Sequence, residues 1–273
     1  MPNARVDDVE LNYRVRGRMR GTGPAILFIC GYSADNLYWN LQLEAFSRDF
    51  TVIVFDNRGI GWSSRGGAAF AIERFARDAA GLLGALEIPH AHVVGHSMGG
   101  MIAQELALRH PQRVDRLVLA GTMARLPAAG RFAGPQWADI LEKCGVEAFA
   151  TTAMLRSYSQ RFFEERWKDA VALRDVYVAH LRAIPLDPDM LRAQYEAILA
   201  HDTSTRLGEI RVPTLVVVGR EDILAPPVLS EELARGIPGA RLEVVEGAGH
   251  ALNIEAAEVF NQTVAKFLLA PCR

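Results

Sequence analysis

The sequence contains little cysteine. Its 273 residues include three cysteines, Cys30, Cys144 and Cys272, and no CxxC pair. An odd number of widely spaced cysteines argues against a disulfide framework and predicts reduced thiols, as in a cytoplasm. The sequence also lacks a charge excess, because 30 basic residues against 32 acidic ones give a formal net charge of −2. We therefore predict neither a nucleic-acid partner nor an anionic membrane partner.

Long hydrophobic runs are missing as well. No run approaches the ~20 apolar residues that span a bilayer, and the charged N-terminus lacks the apolar core of a secretion signal. We predict a cytoplasmic protein without membrane insertion. The GxGxxG fingerprint of dinucleotide binding is absent. His90 and His92 form an HxH pair without an evident third ligand, so we predict neither a metal nor an organic cofactor.

The composition is otherwise that of a globular chain, with 50% hydrophobic and 23% charged residues. Short strand-like runs alternate with helical patterns, and such alternation predicts an α/β fold with a mostly parallel sheet and helices on both faces. The predicted strands are Val9–Val15, Ala25–Cys30, Thr51–Asp56, His92–Gly95, Arg116–Gly121, Thr214–Gly219 and Arg241–Gly247. The last six are predicted to be buried on both faces. The predicted helices are Phe75–Leu86, Met98–Arg109 and Ala256–Leu269.

One segment interrupts this alternation. Between residue 121 and about residue 205 no buried strand is evident, and the pattern favours helices punctuated by proline. We predict a core domain of residues 1–121 and 206–273, with residues 122–205 as a helical cap inserted between two strands. The aromatic residues of the insertion either form its own small core or line a pocket beneath it, and the sequence leaves both open.

The strand HVVG leads into GHSMGG and then into a helix. This is a GxSxG pattern with Ser97 at its centre. A serine in such a turn has a strained backbone, and small residues on either side allow its hydroxyl to project at the carboxyl edge of the sheet. The following helix directs N–H groups and partial positive charge toward the same point. Ser97 is therefore a candidate nucleophile, although a serine at this position could also be a simple helix cap.

A serine hydroxyl needs a base, and that base needs an orienting acid. His250 and Asp222 each follow a predicted strand, at the edge where ligands bind in open α/β sheets. His250 is the candidate base and Asp222 the candidate acid. Glu221 and Glu246 remain alternatives for the acid. The loop after Thr51–Asp56 is predicted to be fixed by an ion pair between Asp56 and Arg58.

Four motifs together resemble the α/β-hydrolase superfamily: CGYS at residues 30–33, FDNRGIGWS at residues 55–63, GHSMGG at residues 95–100, and GREDILAP followed by GAGH at residues 219–226 and 247–250. The resemblance implies an α/β-hydrolase fold with Ser97 as nucleophile, His250 as base and then acid, and Asp222 as the orienting carboxylate. It also implies an oxyanion hole made by the backbone N–H groups of Met98 and Tyr32. Relatives usually carry His-Gly where this chain has Cys30-Gly31.

Within this superfamily the sequence is similar to small carboxylesterases and the 3-oxoadipate enol-lactonase group. The resemblance implies a serine hydrolase that cleaves a carboxylic ester or lactone of a small-molecule substrate. Three alternatives stay open: hydrolysis of a C–C bond with the same catalytic groups, cofactor-free perhydrolase activity, and a ligand receptor or signalling module built on the hydrolase fold. The sequence does not indicate the oligomeric state.

Overall fold

A computed structural model describes residues 2–17 and 23–271 of the chain. Its centre is one eight-stranded sheet with the strand order β1-β2-β4-β3-β5-β6-β7-β8. The strands are β1 (Asn3–Val6), β2 (Val9–Gly17), β3 (Ala25–Ile29), β4 (Thr51–Phe55), β5 (Ala91–His96), β6 (Val114–Ala120), β7 (Thr214–Gly219) and β8 (Arg241–Val245). Strands β1 and β2 are antiparallel to their neighbours, and the pairs from β4 to β8 are parallel. The predicted mostly parallel sheet is confirmed.

Eleven α-helices lie within the described residues. They are α1 (Asn40–Phe46), α2 (Ile72–Ala85), α3 (Met98–Arg109), α4 (Ala128–Ala133), α5 (Gln136–Ser157), α6 (Gln160–Glu165), α7 (Trp167–Ala183), α8 (Pro188–Ala200), α9 (Pro227–Gly236), α10 (Leu252–Glu255) and α11 (Ala257–Leu268). The predicted bounds of α3 are those observed, and its end coincides with the proline that follows His110. No pattern in the sequence predicted β1, α1, α9 or α10, which are short elements.

The helices cover both faces of the sheet, and alternating residues of β3 show how. Ala25, Leu27 and Ile29 belong to an apolar cluster with α2 and α3, whereas Ile26 and Phe28 pack with α1 and α11 on the opposite face. A strand buried on both faces must be apolar along its whole length. This is the physical reason why the continuous apolar runs in the sequence identified the central strands.

Two expectations about packing were wrong. Strand β8 is not buried on both faces: it lies at the sheet edge, and its residues alternate between exposed and partly buried until Val245. Asp56 and Arg58 do not pair. Asp56 accepts from the amide of Trp62 at 3.0 Å, and the buried Arg58 points to α2, where it binds Asp78 at 2.6 Å.

Five helices, α4 to α8, occupy the chain between β6 and β7. Helices α5, α7 and α8 share an apolar cluster with Ile60, and Tyr32 packs against the same cluster. The two ends of this insertion meet at an isolated antiparallel bridge between Arg125 and Asp202. Among the described residues, no helix has the length and apolarity needed to cross a membrane. Cys30 is buried and Cys144 is exposed, both as free thiols, and Cys272 lies outside the described residues.

Candidate active site

Ser97 occupies the turn between β5 and α3 with unusual backbone angles, φ 57° and ψ −122°. A positive φ costs energy in a residue with a side chain, so the surrounding structure must enforce it. Within the segment from Ala91 to Ala107, Ser97 is partly exposed and all the remaining residues are buried. The turn therefore presents one hydroxyl at the carboxyl edge of the sheet while the rest of the segment is packed.

The glycines on either side of Ser97 are required by close backbone packing. A methyl group on Gly95 would lie 2.2 Å from the carbonyl oxygen of Gly99, and one on Gly99 would lie 2.2 Å from the carbonyl oxygen of Ile29. No side chain fits either space, so the tight approach of α3 to β3 and β5 depends on both glycines. The GxSxG pattern thus corresponds to a physical constraint in this fold.

Asp222 and His250 lie in hydrogen-bond contact. Asp222 Oδ2 is 2.8 Å from Nδ1 of His250, and both side chains are buried. The other carboxylate oxygen, Oδ1, accepts the backbone N–H groups of Leu224 and Ala225 at 2.9 and 2.8 Å. These two bonds fix the carboxylate, which in turn fixes the imidazole. The alternative acid Glu246 instead forms a surface ion pair with Arg220.

Gly121, the residue after β6, lies where these groups converge. A methyl group built on it would be 3.2 Å from Asp222 Oδ2 and 3.4 Å from His250 Nδ1. The amide of Ser97 donates to the carbonyl of Ala120 at 3.0 Å, which brings Ser97 to the end of the same strand. All three predicted residues therefore lie in loops at the carboxyl ends of strands, after β5, β7 and β8. Within the described residues, however, Ser97 Oγ makes no hydrogen bond, and hydroxyl–imidazole contacts often tighten only when substrate binds.

Two unpartnered amides flank Ser97. Among the described residues, neither the N–H of Tyr32 nor that of Met98 has a protein acceptor. The turn that carries Tyr32 lies against the serine, because a methyl group on Gly31 would be 3.0 Å from Ser97 Cβ and 3.6 Å from its Oγ. Free amides beside a candidate nucleophile are donors that a developing negative charge can use.

The insertion contacts this turn directly. The amide of Ser33 donates to Oε1 of Gln194 on α8 at 3.0 Å, and His180 on α7 lies 2.5 Å from the carboxylate of Asp35. Cys30, just before the turn, is fully buried. Burial and the nearby carboxylates of Asp56 and Asp35 raise the pKa of its thiol well above the usual value, so Cys30 is a neutral packing residue.

Glu255 and Gly121 are supporting residues that the sequence analysis did not identify. Glu255 accepts the amide of Gly249 at 2.8 Å and that of Ser159, in the insertion, at 3.2 Å. The amide of Ala251 donates to the carbonyl of Ser157 at 2.8 Å. The insertion and α10 thus hold both flanks of His250. A glycine at a strand's carboxyl end was a weak signal for Gly121, and no spacing pattern pointed to Glu255.

The described residues contain no cluster of three or more His, Cys, Asp or Glu side chains arranged to hold a metal ion. Asp222 and His250 satisfy each other in a two-residue pair. What the arrangement offers chemically is a hydroxyl, an oriented imidazole and free amides at one edge of the sheet. These are the parts of nucleophilic acyl transfer.

A protein family and a curated relative match nearly the whole chain. A family model described as the alpha/beta hydrolase fold matches residues 24–257. A protein of Azorhizobium caulinodans named "Putative carbamate hydrolase RutD" is 35% identical over 267 residues, which cover 98% of each chain.

Two solved structures are similar over nearly the whole chain. The enol-lactonase from Burkholderia xenovorans LB400 shares 33% identity with a TM-score of 0.85, covering 98% of this chain and 100% of that one. A hydrolase from Pseudomonas aeruginosa PA01 shares 31% identity with a TM-score of 0.86, covering 98% and 97%. The similarity therefore includes the helical insertion as well as the sheet.

Proposed function

Because the chain belongs to the alpha/beta hydrolase fold family, we propose that it is a serine hydrolase that cleaves a carboxylic ester or lactone through an acyl-enzyme on Ser97. The observation that carries this proposal is the 2.8 Å contact between His250 Nδ1 and the buried, doubly anchored carboxylate of Asp222. An imidazole oriented in this way, at the same sheet edge as a partly exposed serine in a strained turn, has the composition of a serine hydrolase site.

In the proposed reaction Ser97 Oγ attacks the substrate carbonyl carbon while its proton passes to Nε2 of His250. Asp222 keeps Nδ1 of that ring protonated and stabilises the imidazolium that forms. The oxyanion accepts hydrogen bonds from the free N–H groups of Tyr32 and Met98. Each donor of this kind contributes roughly 3 kcal/mol to transition-state stabilisation. The C=O bond then re-forms as the bond between the carbonyl carbon and the leaving-group oxygen breaks, and His250 protonates the leaving alkoxide. Water repeats the sequence on the acyl-enzyme, releasing the acid and restoring Ser97.

We further propose that residues 122–205 act as a cap over a core made of residues 1–121 and 206–273. The contacts of α7 and α8 with the turn after β3 and of Ser157 with the His250 loop support this division. A small molecule that reaches Ser97 between cap and core is the partner we propose. The cytoplasmic location stays a prediction from the sequence.

A second candidate is hydrolysis of a carbamate, and the names of the curated relatives favour it. The same attack on a carbamate ester would release the alcohol and leave a carbamoyl group on Ser97. The nitrogen lone pair makes that carbonyl less electrophilic than an ester carbonyl, so water would release it more slowly. A carbamate ester would therefore give an initial burst of alcohol followed by a steady rate slower than that of a carboxylic ester of the same alcohol.

The test is a panel of short aryl esters, lactones, carbamate esters and diketone ring-fission compounds, run on the wild type and Ser97→Ala. We expect multiple turnover of an ester or lactone that Ser97→Ala abolishes, and a fluorophosphonate adduct on Ser97. Ser64→Ala, which removes from the loop after β4 a hydroxyl that accepts the amide N–H of Glu10, serves as the control and should keep wild-type activity. Labelling of another residue, or one turnover followed by tight retention of ligand, would contradict the proposal.

A further inference from the structure

His96, the last residue of β5 and the neighbour of Ser97, contacts the candidate base directly. Its Nε2 lies 2.8 Å from the backbone carbonyl oxygen of His250, and the two rings are 4.6 Å apart between centroids. A carbonyl oxygen only accepts hydrogen bonds, so Nε2 of His96 must carry the proton and donate it. No motif in the sequence assigned a catalytic function to this histidine.

The charge state of His96 agrees with this tautomer. The ring is 3% exposed. Burial, and secondarily the proximity of His250, lower the pKa of His96 to about 3. The ring is therefore neutral near pH 7, with one protonated nitrogen, and the bond to the carbonyl determines which nitrogen that is. A neutral ring also places no second positive charge beside the imidazolium that His250 becomes during the proposed reaction.

A buried polar network holds His96 in place. The hydroxyl of Tyr38 lies 3.5 Å from Nε2 of His96 and donates to Oδ1 of Asn253 at 2.8 Å. The carbonyl of Asn253 accepts from Nε2 of Gln42 at 2.8 Å. Tyr38 and Trp39, in the turn before α1, contact the ring, and Asn253 of α10 holds the Tyr38 hydroxyl. Such a network makes His96 a rigid donor rather than a mobile side chain.

We infer that His96 is a positioning residue that fixes the backbone of His250 so that its ring stays aligned between Asp222 and Ser97. The inference rests on the proposed function and deepens it. The His250 ring is anchored at Nδ1 by Asp222, and the adjacent peptide is anchored at its carbonyl by His96. Because His96 precedes Ser97 directly, one hydrogen bond links the segment carrying the nucleophile to the segment carrying the base.

The experiment compares two substitutions at this position with a matched control. His96→Phe keeps an aromatic ring but removes the donor, and His96→Gln keeps an amide N–H at a similar distance from the backbone. His92→Phe makes the same exchange four residues earlier on β5, at a buried ring that contacts Phe50. Each folded variant is measured for kcat and KM with a short aryl ester, for its rate of fluorophosphonate labelling, and by NMR for the low-field Nδ1 proton of His250.

We expect His96→Phe to lower kcat about 10- to 100-fold with KM nearly unchanged, because displacing a reacting group by about 1 Å costs that much. Labelling should slow by the same factor, and the Nδ1 proton signal of His250 should broaden or disappear. His96→Gln should recover most of the rate and the signal, and His92→Phe should match the wild type. If His96→Phe does not fold, His96→Met replaces it, since methionine adapts to irregular space and also lacks a donor.

Two results would overturn the inference. One is wild-type kcat in the variant without a donor. The other is an equal loss in His96→Phe and His96→Gln with the Nδ1 signal intact, which would indicate packing alone. Failure of the proposed function is distinguishable, because it would appear as turnover or labelling that survives Ser97→Ala, whereas the NMR signal reports the contact between His250 and Asp222 without turnover.

Discussion

Gly121 provides a sharp test of the site geometry, because one added methyl group would touch three groups of the site at once. Its Cβ would lie 3.2 Å from Asp222 Oδ2, 3.3 Å from Nε2 of His96 and 3.4 Å from Nδ1 of His250. Non-bonded heavy atoms prefer separations of about 3.5–4.0 Å. The three groups must therefore move apart by a few tenths of an ångström in Gly121→Ala, in a part of the structure where all three are buried.

The backbone adds a second, separable cost. Gly121 has φ +49°, where a residue with a side chain loses roughly 1–2 kcal/mol. Gly239→Ala is the matched control: Gly239 has φ +71°, and no atom lies within 4 Å of the position its Cβ would occupy. Both variants should lose similar stability through strain, with Tm lower by about 2–8 °C. Only Gly121→Ala should also displace the candidate acid and base.

We expect Gly121→Ala to lower kcat/KM by roughly 10- to 100-fold, given that a 1 Å misplacement costs about 100-fold, and Gly239→Ala to stay near the wild type. The assay is hydrolysis of a short aryl ester well below the lower Tm, with the concentration of reactive serine counted by fluorophosphonate titration. If Gly121→Ala keeps the wild-type kcat/KM and loses the same Tm as Gly239→Ala, the positions of Asp222 and His250 beside Gly121 do not matter for the reaction, and the reasoning is refuted.

Two further predictions concern single side chains. Asp222→Asn should lower kcat about 10⁴-fold, because an amide favours the wrong tautomer of His250. The control Glu246→Gln alters only a surface ion pair and should leave kcat within twofold. Comparable losses of kcat in both variants would contradict the assignment of Asp222 as the acid. His96 and His201 are buried, and burial lowers their pKa values to about 3 and about 4, from 6.5 in an unfolded chain. The unfolded chain thus binds more protons, so the stability due to each neutral ring is complete above pH 6.5 and is lost as pH falls toward the folded pKa. His201→Asn should therefore reduce the slope of the unfolding free energy against pH between pH 4 and 6.5 by about 1.4 kcal/mol per pH unit. Urea unfolding at several pH values measures this slope. An unchanged slope would show that His201 is not buried in its neutral form.

The sequence by itself determined the elements whose signals are local. Seven predicted strands correspond to β2–β8, and α3 has its predicted bounds. Strands covered on both faces must be apolar throughout, and proline ends a helix, so these features are written in consecutive residues. The positions of the serine, the acid and the histidine, each after a strand, also predicted that these residues would lie at one sheet edge. Strand β1, helices α1, α9 and α10, and the edge position of β8 lacked a comparably strong local pattern.

Only the tertiary structure decided the contacts that support the site. Arg58 pairs with Asp78 rather than Asp56, Gly121 lies against the acid and the base, and Glu255 connects the His250 loop to the insertion. His96 finds its acceptor 154 residues away. None of these partners is specified by spacing along the chain, because the direction of a side chain and its nearest buried acceptor follow from how strands and loops distant in sequence pack together.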